Sequence, residues 1–409
     1  MNFEDSPEEA AFRADARAWL AENAAPYKKP LPENLTEAQA VAMAKEWQAK
    51  KAAAGYAAIT WPKEVGGMGG TPMQRVIFEQ EEAQYNLPPN VFAIGLGMCM
   101  PTMLAFATPE QQKRHVPKAL SGEEIWCQLF SEPAGGSDLA ALRTKAEKDG
   151  DDWVVNGQKI WTSGAHLSDW GILVTRTDPT KPKHEGLTFF FLNMKSPGVE
   201  VKPIKQASGA RGFNEVYFTD VRIPDSQRLG AVGDGWKVSL TTLMNERLSI
   251  SENSQRGINF DMLMKLAGSV DGANGPAIRD KAVREQLADW YAKYMGLRNG
   301  RYRTMTALSQ GARPGPEASI NKAVFASMLQ DMASFGLDLL DTAGVATDPH
   351  LEGFRRQFAD AYMGAPGLRI AGGTDEILRN IIAERVLGLP PDIRADKGIP
   401  FNKVPTSAN

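Results

Sequence analysis

The sequence predicts an α+β protein in which helical segments enclose a central stretch of short strands. Apolar residues recur at helical spacing through about the first 120 residues and again over about 236–389. Between about 125 and 235, strand-like runs alternate with turns rich in Pro, Gly and Asp. With 409 residues, the chain is long enough for two or three domains with large cores. We therefore expect a helical domain, a β domain and a second helical domain, in that order.

Three helix starts within residues 1–124 share one capping pattern. A hydroxyl residue (Ser6, Thr71 or Thr108) precedes a Pro, and a Glu or Gln follows at the third helical position. This arrangement is typical of a capping box, in which the first side chain and the third each bond to the other's backbone N–H. A further Ala-rich helix is predicted over 36–51. These signals predict an N-terminal helical domain over 1–124.

Strand signals dominate residues 125–235. Two strand-like runs at 153–155 and 158–162 are joined by Asn156-Gly157, the dipeptide most typical of a two-residue type I′ hairpin turn. Short strands at regular spacing favour a small β-barrel or sandwich. The remaining predicted strands are 171–177, 187–193, 199–204 and 215–223.

Helical spacing returns over residues 236–390. Turn-rich segments at 271–276 and 311–316 mark connections between long antiparallel helices. One apolar stripe recurs at helical spacing and suits either the domain core or self-association. The stripe consists of Phe325, Met328, Leu329 and Met332. The polar, Pro-containing tail over 391–409 is expected to be extended or disordered.

Composition argues against several classes of function. A formal net charge of −3 and a pI near 6.0 give no overall electrostatic basis for binding nucleic acid. Cys99 and Cys127 lie in different regions, and no Cys/His spacing resembles a zinc site, so a reducing compartment fits best. No N-terminal targeting pattern and no apolar run of the ~18–20 residues needed for a membrane span is found. We expect a cytoplasmic protein without a metal site.

The segment over 126–163 is the most informative stretch of the chain. Its Gly-rich turn at 131–138 presents three small residues, which let backbone N–H groups approach an anion closely. Near the turn the chain offers a flat apolar ring, Trp161, and two hydroxyl groups. The small residues are Gly135, Gly136 and Ser137, and the hydroxyl groups belong to Ser131 and Ser163. Such a surface suits a flat cofactor with polar edges and a diphosphate.

This ordered combination resembles the flavin-binding signature of the acyl-CoA dehydrogenase family. The resemblance runs through almost the whole chain, to about residue 390. It implies an N-terminal helical domain, a central small β-barrel domain and a C-terminal four-helix bundle. It also implies FAD-dependent oxidation of an acyl-CoA thioester between its α and β carbons. A cofactor is obligatory for that reaction, because no side chain accepts a hydride.

By this resemblance, five residues of the central domain meet FAD. Ser131 takes the position whose hydroxyl bonds the flavin ring edge, and Ser163 takes the position beside flavin N5. Many relatives carry Thr at both places. Trp161 packs on the flavin. Gly136 and Ser137 contact the diphosphate, and Ser137 also lies toward the CoA side.

A second block near the C-terminus, Ala-Gly-Gly-Thr, resembles the family's loop that meets the flavin. It implies Gly373 and Thr374 near the cofactor. Many members place their catalytic glutamate directly before this Gly-Thr pair, where this chain has Gly372. Some relatives carry it in an earlier helix, in a Glu-Arg pair that Glu246 and Arg247 match. The resemblance thus implies Glu246 as the base that takes the α proton, with Arg247 near the CoA or substrate.

The resemblance leaves partners and substrate open. It implies an electron-transfer flavoprotein as electron acceptor and a homodimer or homotetramer, with an α2β2 assembly as a further form. The family's Arg-x-x-Phe-Gly run, which reaches the neighbouring subunit's FAD, has no match over 257–288. Alternative readings are an acyl-CoA oxidase, a flavin monooxygenase or a non-catalytic α2β2 partner. The family members that this chain resembles act on dicarboxylic, branched, aromatic or steroid-derived acyl-CoAs.

Overall fold

The computed structural model describes residues 5–32, 34–252, 257–272, 275–310, 315–316, 318–346, 353–394 and 396–404. Contacts between residues divide the chain into two compact units. The large unit contains Glu4–Lys205, Arg211–Ser249 and Arg394–Asn409, and the small unit contains Gln206–Ala210 and Ile250–Ile393. The N-terminal helices and the strands between residues 126 and 229 therefore share the large unit.

The N-terminal helices begin with the predicted capping chemistry. Ser6, Thr71 and Thr108 each accept a bond from the third helical N–H, and the residue there bonds back, which confirms the three capping boxes. Thr36 caps another helix in the same way. The helices are α1 (Pro7–Asn23), α2 (Glu37–Ala53), α3 (Pro72–Glu82), α4 (Met100–Phe106) and α5 (Pro109–Ser121).

The middle of the chain forms one eight-stranded mixed sheet. Its hydrogen-bonded order is β6-β7-β3-β2-β4-β5-β8, and β1 runs parallel to β4. The four later predicted strands correspond to β4, β5, β6 and β7 and are confirmed. The strands are β1 (Trp126–Leu129), β2 (Lys145–Asp149), β3 (Asp152–Ser163), β4 (Trp170–Arg176), β5 (Leu187–Asn193), β6 (Val199–Ile204), β7 (Phe213–Pro224) and β8 (Arg228–Leu229).

The predicted hairpin at Asn156-Gly157 is wrong, because β3 runs straight through this dipeptide. The chain reverses instead between β2 and β3, at Gly150, whose φ of +58° suits a tight turn. Asn156 bonds across the sheet to Asp220 through its amide nitrogen at 3.0 Å, which favours extended pairing. At Gly157 a Cβ would lie 2.5 Å from Thr144 Oγ1, so the glycine serves close strand approach rather than a turn.

Alternate side chains of β4 and β5 enter two different hydrophobic clusters, as the two-residue period of a strand requires. Ile172 and Phe189 pack with side chains of α4 and α5. Leu173 and Phe190 pack with side chains of β3 and β7 in the second cluster. Side chains of β3, β4, β5 and β7 all contribute to this second cluster.

The helices after the sheet form a bundle in the small unit. α7, α8, α9 and α11 supply one shared core, with Leu263, Trp290, Met332 and Phe358 among its buried members. The helices are α6 (Gly235–Glu252), whose first part belongs to the large unit, then α7 (Phe260–Ser269), α8 (Lys281–Ser309), α9 (Ala318–Leu340), α10 (Thr342–Val345), α11 (Gly353–Leu368) and α12 (Asp375–Ile381).

The apolar stripe of α9 lies in this core. Met328, Leu329 and Met332 are buried there, and Phe325 packs against them. The stripe therefore stabilises the bundle and gives no separate support for self-association. By length and composition alone, Ser319–Leu340 is also apolar enough to cross a membrane. Its buried face accounts for that composition.

The C-terminal tail is only partly extended. Residues 391–394 form neither helix nor strand, in line with the expectation. Further along, Phe401–Lys403 form a 3₁₀ helix. This last segment belongs to the large unit.

Candidate active site

The Gly-rich turn begins just after β1 ends. The Glu132 N–H donates to the Gly135 carbonyl at 2.9 Å, and the Gly135 N–H donates back to the Glu132 carbonyl at 3.0 Å. These two bonds close a tight turn. The Ile160 N–H donates to the Ser131 carbonyl at 2.9 Å. Ser131 therefore lies directly beside the part of β3 that carries Trp161.

A buried ion pair fastens this turn to the sheet. Lys159 is fully buried, and its Nζ donates to Glu132 Oε1 and to the Phe130 carbonyl, each at 2.9 Å. The same carboxylate accepts the backbone N–H of Arg143 at 2.6 Å and of Thr144 at 2.9 Å. Burial favours the neutral form of Glu132, but the Lys159 charge and these hydrogen bonds hold the pKa of Glu132 below its usual value. The ion pair and these hydrogen bonds thus hold the turn against the sheet.

The lowered pKa makes Glu132 a source of acid sensitivity. A carboxyl group with a folded-state pKa below its unfolded value stabilises the fold above the unfolded pKa of about 4.3. That contribution is lost as pH falls through the folded pKa. We expect the free energy of unfolding to decline in acid, and to decline less steeply in Glu132→Gln. Parallel slopes for the two proteins in urea titrations below about pH 5 would contradict this role of Glu132.

Gly136 and Ser137 present unused donors at the top of the turn. Within the unbroken described stretch 34–252, neither backbone N–H donates to another protein atom. A Cβ at Gly136 would meet nothing within 4 Å, and its φ lies outside the left-handed region. No contact with a residue that the structure describes demands glycine there. Open space above free N–H groups is what a closely approaching anion such as a diphosphate requires.

Gly136→Ala should therefore weaken cofactor binding without weakening the fold. The added methyl group meets no protein atom, so we expect apoprotein stability to change by less than about 0.5 kcal/mol. FAD affinity should fall about tenfold or more, as measured by fluorescence titration of the apoprotein. Gly296→Ala, at another open glycine on the exposed surface of α8, is the matched control and should leave FAD affinity unchanged. Equal FAD affinity in both variants would refute the role of Gly136.

Trp161 has an unusual backbone conformation and an exposed side chain. Its φ is +60°, and the pairing of β3 with β7 shifts register between Lys159 and Thr162, which marks an irregularity in the strand. The residue is 56% exposed, and Phe213 supports its ring edge-to-face with centroids 6.0 Å apart. A strained backbone that presents a large exposed ring is typical of a binding surface rather than of a core. The exposed ring offers a flat apolar surface, and its packing on a flavin stays a prediction.

Trp161→Ala should lower FAD affinity roughly tenfold to hundredfold, because the cofactor loses an aromatic packing surface. The fold itself should lose little, since the ring is mostly exposed without ligand. Trp161→Phe keeps an aromatic face and should retain most of the affinity. Quenching of tryptophan fluorescence by added FAD should also shrink in both variants. A large loss of apoprotein stability in Trp161→Ala, with unchanged affinity, would show a purely structural ring.

Beside this ring lie two further polar groups of β3. Ser163 lines a cleft of about 140 Å³ together with Ile94 and Trp126. The Thr162 hydroxyl is buried and has no hydrogen-bond partner among the described residues. An orphaned buried hydroxyl beside an exposed aromatic ring is consistent with a surface that an external group completes.

Glu246, the predicted base, lies on α6 in the large unit. Gln128 of β1 donates through Nε2 to Glu246 Oε2 at 3.4 Å, and Gln128 Oε1 is buried with no partner in the described part of the chain. Ser131 follows Gln128 by three residues, which span at most about 11 Å. Glu246 is therefore close to the end of β1 that leads into the Gly-rich turn. The side chain of Arg247 lies outside the described residues.

Gly373 and Thr374 lie in the small unit. The Thr374 hydroxyl caps α12 by accepting the Ile377 N–H at 3.2 Å, and Lys322 Nζ donates to the Gly373 carbonyl at 2.7 Å. Gly372 and Gly373 have φ of +65° and +96°, a conformation that side-chain-bearing residues rarely adopt. In this backbone conformation a glutamate at 372 would be strained.

Three residues that support the site were not predicted from the sequence: Glu132, Lys159 and Gln128. The signal for Lys159 was present, because it shares the inward-facing register of β3 with Trp153 and Val155. A lysine among inward apolar positions indicates a buried partner. The partner itself and the contact from Gln128 depend on chain segments that meet only in the fold.

Comparisons with known proteins agree with this architecture. Family models for the acyl-CoA dehydrogenase N-terminal, middle and C-terminal domains match residues 6–123, 127–221 and 233–387. The acyl-CoA dehydrogenase IpdE1 of Mycobacterium tuberculosis is 37% identical over 391 residues, covering 94% of this chain and 98% of the relative. The chain therefore belongs to the acyl-CoA dehydrogenase family. It is an FAD-dependent oxidoreductase, and the open turn and exposed ring fit that cofactor.

Solved structures show the same fold. The ChsE4-ChsE5 complex from Mycobacterium tuberculosis has a chain with a TM-score of 0.78 and 28% identity, covering 96% of this chain and all of that one. A steroid acyl-CoA dehydrogenase, Tcur3481-Tcur3483, matches with a TM-score of 0.78 and 27% identity over 96% of this chain and 100% of its own. The helical, β and helical domains expected from the sequence are thus confirmed.

Proposed function

We propose that the chain dehydrogenates a bulky, ring-bearing acyl-CoA to its trans-2-enoyl-CoA, with Glu246 as the catalytic base. The observation that carries the proposal is the placement of Glu246 beside Gln128 on β1, the strand that leads into the cofactor turn. The structural reason against a glutamate at 372 supports the same assignment. The catalytic carboxylate then lies on α6, whereas in many relatives it lies in the loop before the Gly-Thr pair.

The reaction needs one proton and one hydride to leave neighbouring carbons. Glu246 takes the α proton on its carboxylate, and the electrons of that C–H bond form the new double bond as the β hydrogen leaves with its pair. Bound FAD supplies the two-electron acceptor for that hydride. Gly136 and Ser137 hold the diphosphate through their N–H groups. Ser131, Trp161 and Ser163 orient the flavin ring.

The relatives support the proposed substrate class. One structural neighbour is described as a steroid acyl-CoA dehydrogenase, and steroid-derived thioesters are among those the sequence resemblance implies. Anaerobic titration should therefore bleach the flavin absorbance with a CoA thioester of a steroid side chain or ring fragment. Straight-chain acyl-CoAs of equal carbon number should bleach it slowly. Bleaching by straight chains alone would overturn the substrate class, and no bleaching by any thioester would overturn the function.

The proposed assembly is an α2β2 complex with a second chain of the same family. Two structural neighbours are named as pairs of chains, and this sequence lacks the Arg-x-x-Phe-Gly run that completes a neighbour's FAD site. Electrons pass to an electron-transfer flavoprotein in the cytoplasm. Light scattering should show a defined tetramer only after co-expression with such a second chain. A stable homotetramer with full FAD would favour the homo-oligomeric form instead.

A further inference from the structure

We propose that the C-terminal tail over 396–404 is a positioning element for the cofactor turn. The inference rests on the proposed role of Gly136 and Ser137 in binding the diphosphate. The tail lies beyond the family match, which ends at residue 387. It nevertheless packs on the large unit beside the segment that follows the turn.

The tail is attached to the loop between β4 and β5 by backbone bonds. The Phe401 N–H donates to the Lys181 carbonyl at 2.9 Å, and the Asn402 N–H donates to the Pro179 carbonyl at 3.0 Å. Pro400 forms an isolated β-bridge with Pro182. These main-chain contacts set the register of the tail without depending on side-chain identity.

Phe401 then covers a cation that supports the end of the turn. The Arg176 guanidinium lies 3.6 Å from the centre of the Phe401 ring, a close cation–π contact. Arg176 is buried and donates to the carbonyls of Ala140 and Leu142, which follow the Gly-rich turn directly. The aromatic ring of the tail thus holds the arginine that fixes the backbone leaving the turn.

Lys183 makes the second link. Its Nζ pairs with Asp138 Oδ2, in the turn, at 2.7 Å and also with Asp396 in the tail. Both carboxylates share one ammonium group, and Lys183 itself is mostly buried. Removing the tail would leave Lys183, which holds Asp138, and Arg176 each without one of its restraining contacts. The position of Gly136 and Ser137, directly before Asp138, then becomes less defined.

Tail docking and cofactor binding should therefore be coupled. Phe401→Ala should raise the FAD dissociation constant of the apoprotein about five- to thirty-fold, the factor that corresponds to loss of a desolvated cation–π contact. Termination after Arg394 should raise it at least as much. Asn402→Ala keeps the backbone bonds and changes only an exposed side chain, so it is the matched control, as is termination after Val404. Both controls should bind FAD as the parent chain does.

Reciprocity provides a readout independent of activity. If docking of the tail favours FAD, then FAD must favour docking of the tail by the same factor. Trypsin should cleave after Lys397 and Lys403 more slowly with saturating FAD than without it. A lower apoprotein melting temperature in Phe401→Ala, with unchanged FAD affinity and equal cleavage rates, would overturn the inference and leave a purely structural tail. Gly136→Ala separates the two proposals: normal FAD affinity in that variant refutes the turn, whereas weakened affinity there with normal affinity in Phe401→Ala refutes only the tail.

Discussion

Glu246→Gln should reduce flavin bleaching by acyl-CoA about 10²- to 10⁴-fold, the usual contribution of a general base. Glutamine keeps the size of the side chain, so FAD content and acyl-CoA affinity should stay near those of the parent protein. Only the ability to accept the α proton is lost. Stopped-flow measurement of the reductive half-reaction under anaerobic conditions gives the rate directly, without contributions from the electron acceptor.

The matched control is Glu376→Gln. Glu376 follows the Gly-Thr block in sequence, and it is exposed in the first turn of α12. Its own backbone N–H and the Thr374 hydroxyl lower its pKa, as expected for a carboxylate at a helix N-terminus. We expect this variant to keep its reductive rate within a few-fold. The opposite pattern, with a fast Glu246→Gln and a slow Glu376→Gln, would move the base to the small unit.

Lys159→Met should lower the free energy of unfolding by ~3–5 kcal/mol, because it leaves the Glu132 carboxylate buried without its cation. The cofactor turn loses its anchor at the same time, so the variant should purify with little FAD. Lys145→Met is the control: Lys145 lies on the neighbouring strand in an exposed pair with Glu147. Such a surface pair contributes ~0–1 kcal/mol. Urea unfolding of the apoproteins measures both changes.

The double variant Lys159→Met with Glu132→Gln tests whether the unpaired buried charge causes the loss of stability. A neutral glutamine can still accept the N–H groups of Arg143 and Thr144 but carries no unpaired charge. We expect it to recover at least about half of the stability lost in the single variant. If the double variant were as unstable as Lys159→Met, the loss would come from packing of the lysine stem rather than from the buried charge.

Local patterns in the chain predicted much of this molecule. The Ser-Pro and Thr-Pro starts locate helix termini because capping involves residues only three positions apart. The alternation of β7 locates a strand because one of its faces packs inward. The short apolar run of β5 locates a strand whose two faces are both buried. The dipeptide Asn156-Gly157 misled for the same reason, since its local preference for a turn was outweighed by bonds to Asp220, 64 residues away.

The cofactor site divides along the same line. Its small residues and the Trp161 ring could be located from the sequence, because they lie in a contiguous segment with a strong family resemblance. The same resemblance led to Glu246, rather than position 372, as the predicted base. The residues that hold these groups in place could not be identified from the sequence. Lys159 reaches Glu132 across 27 residues, Gln128 reaches Glu246 across 118, and Lys183 joins Asp138 to a tail more than 200 residues further on.

The sequence by itself determined the order of the domains, the nature of the cofactor and the chemical groups offered to it. These depend on short-range periodicity and on residue types, which can be determined from the sequence without a structure. Only the tertiary structure decided which charges are buried together, where a glycine is open to a ligand, and that Trp161 faces outward on a strained strand. Burial and close approach are properties of segments brought together from distant parts of the chain, so no local pattern contains them.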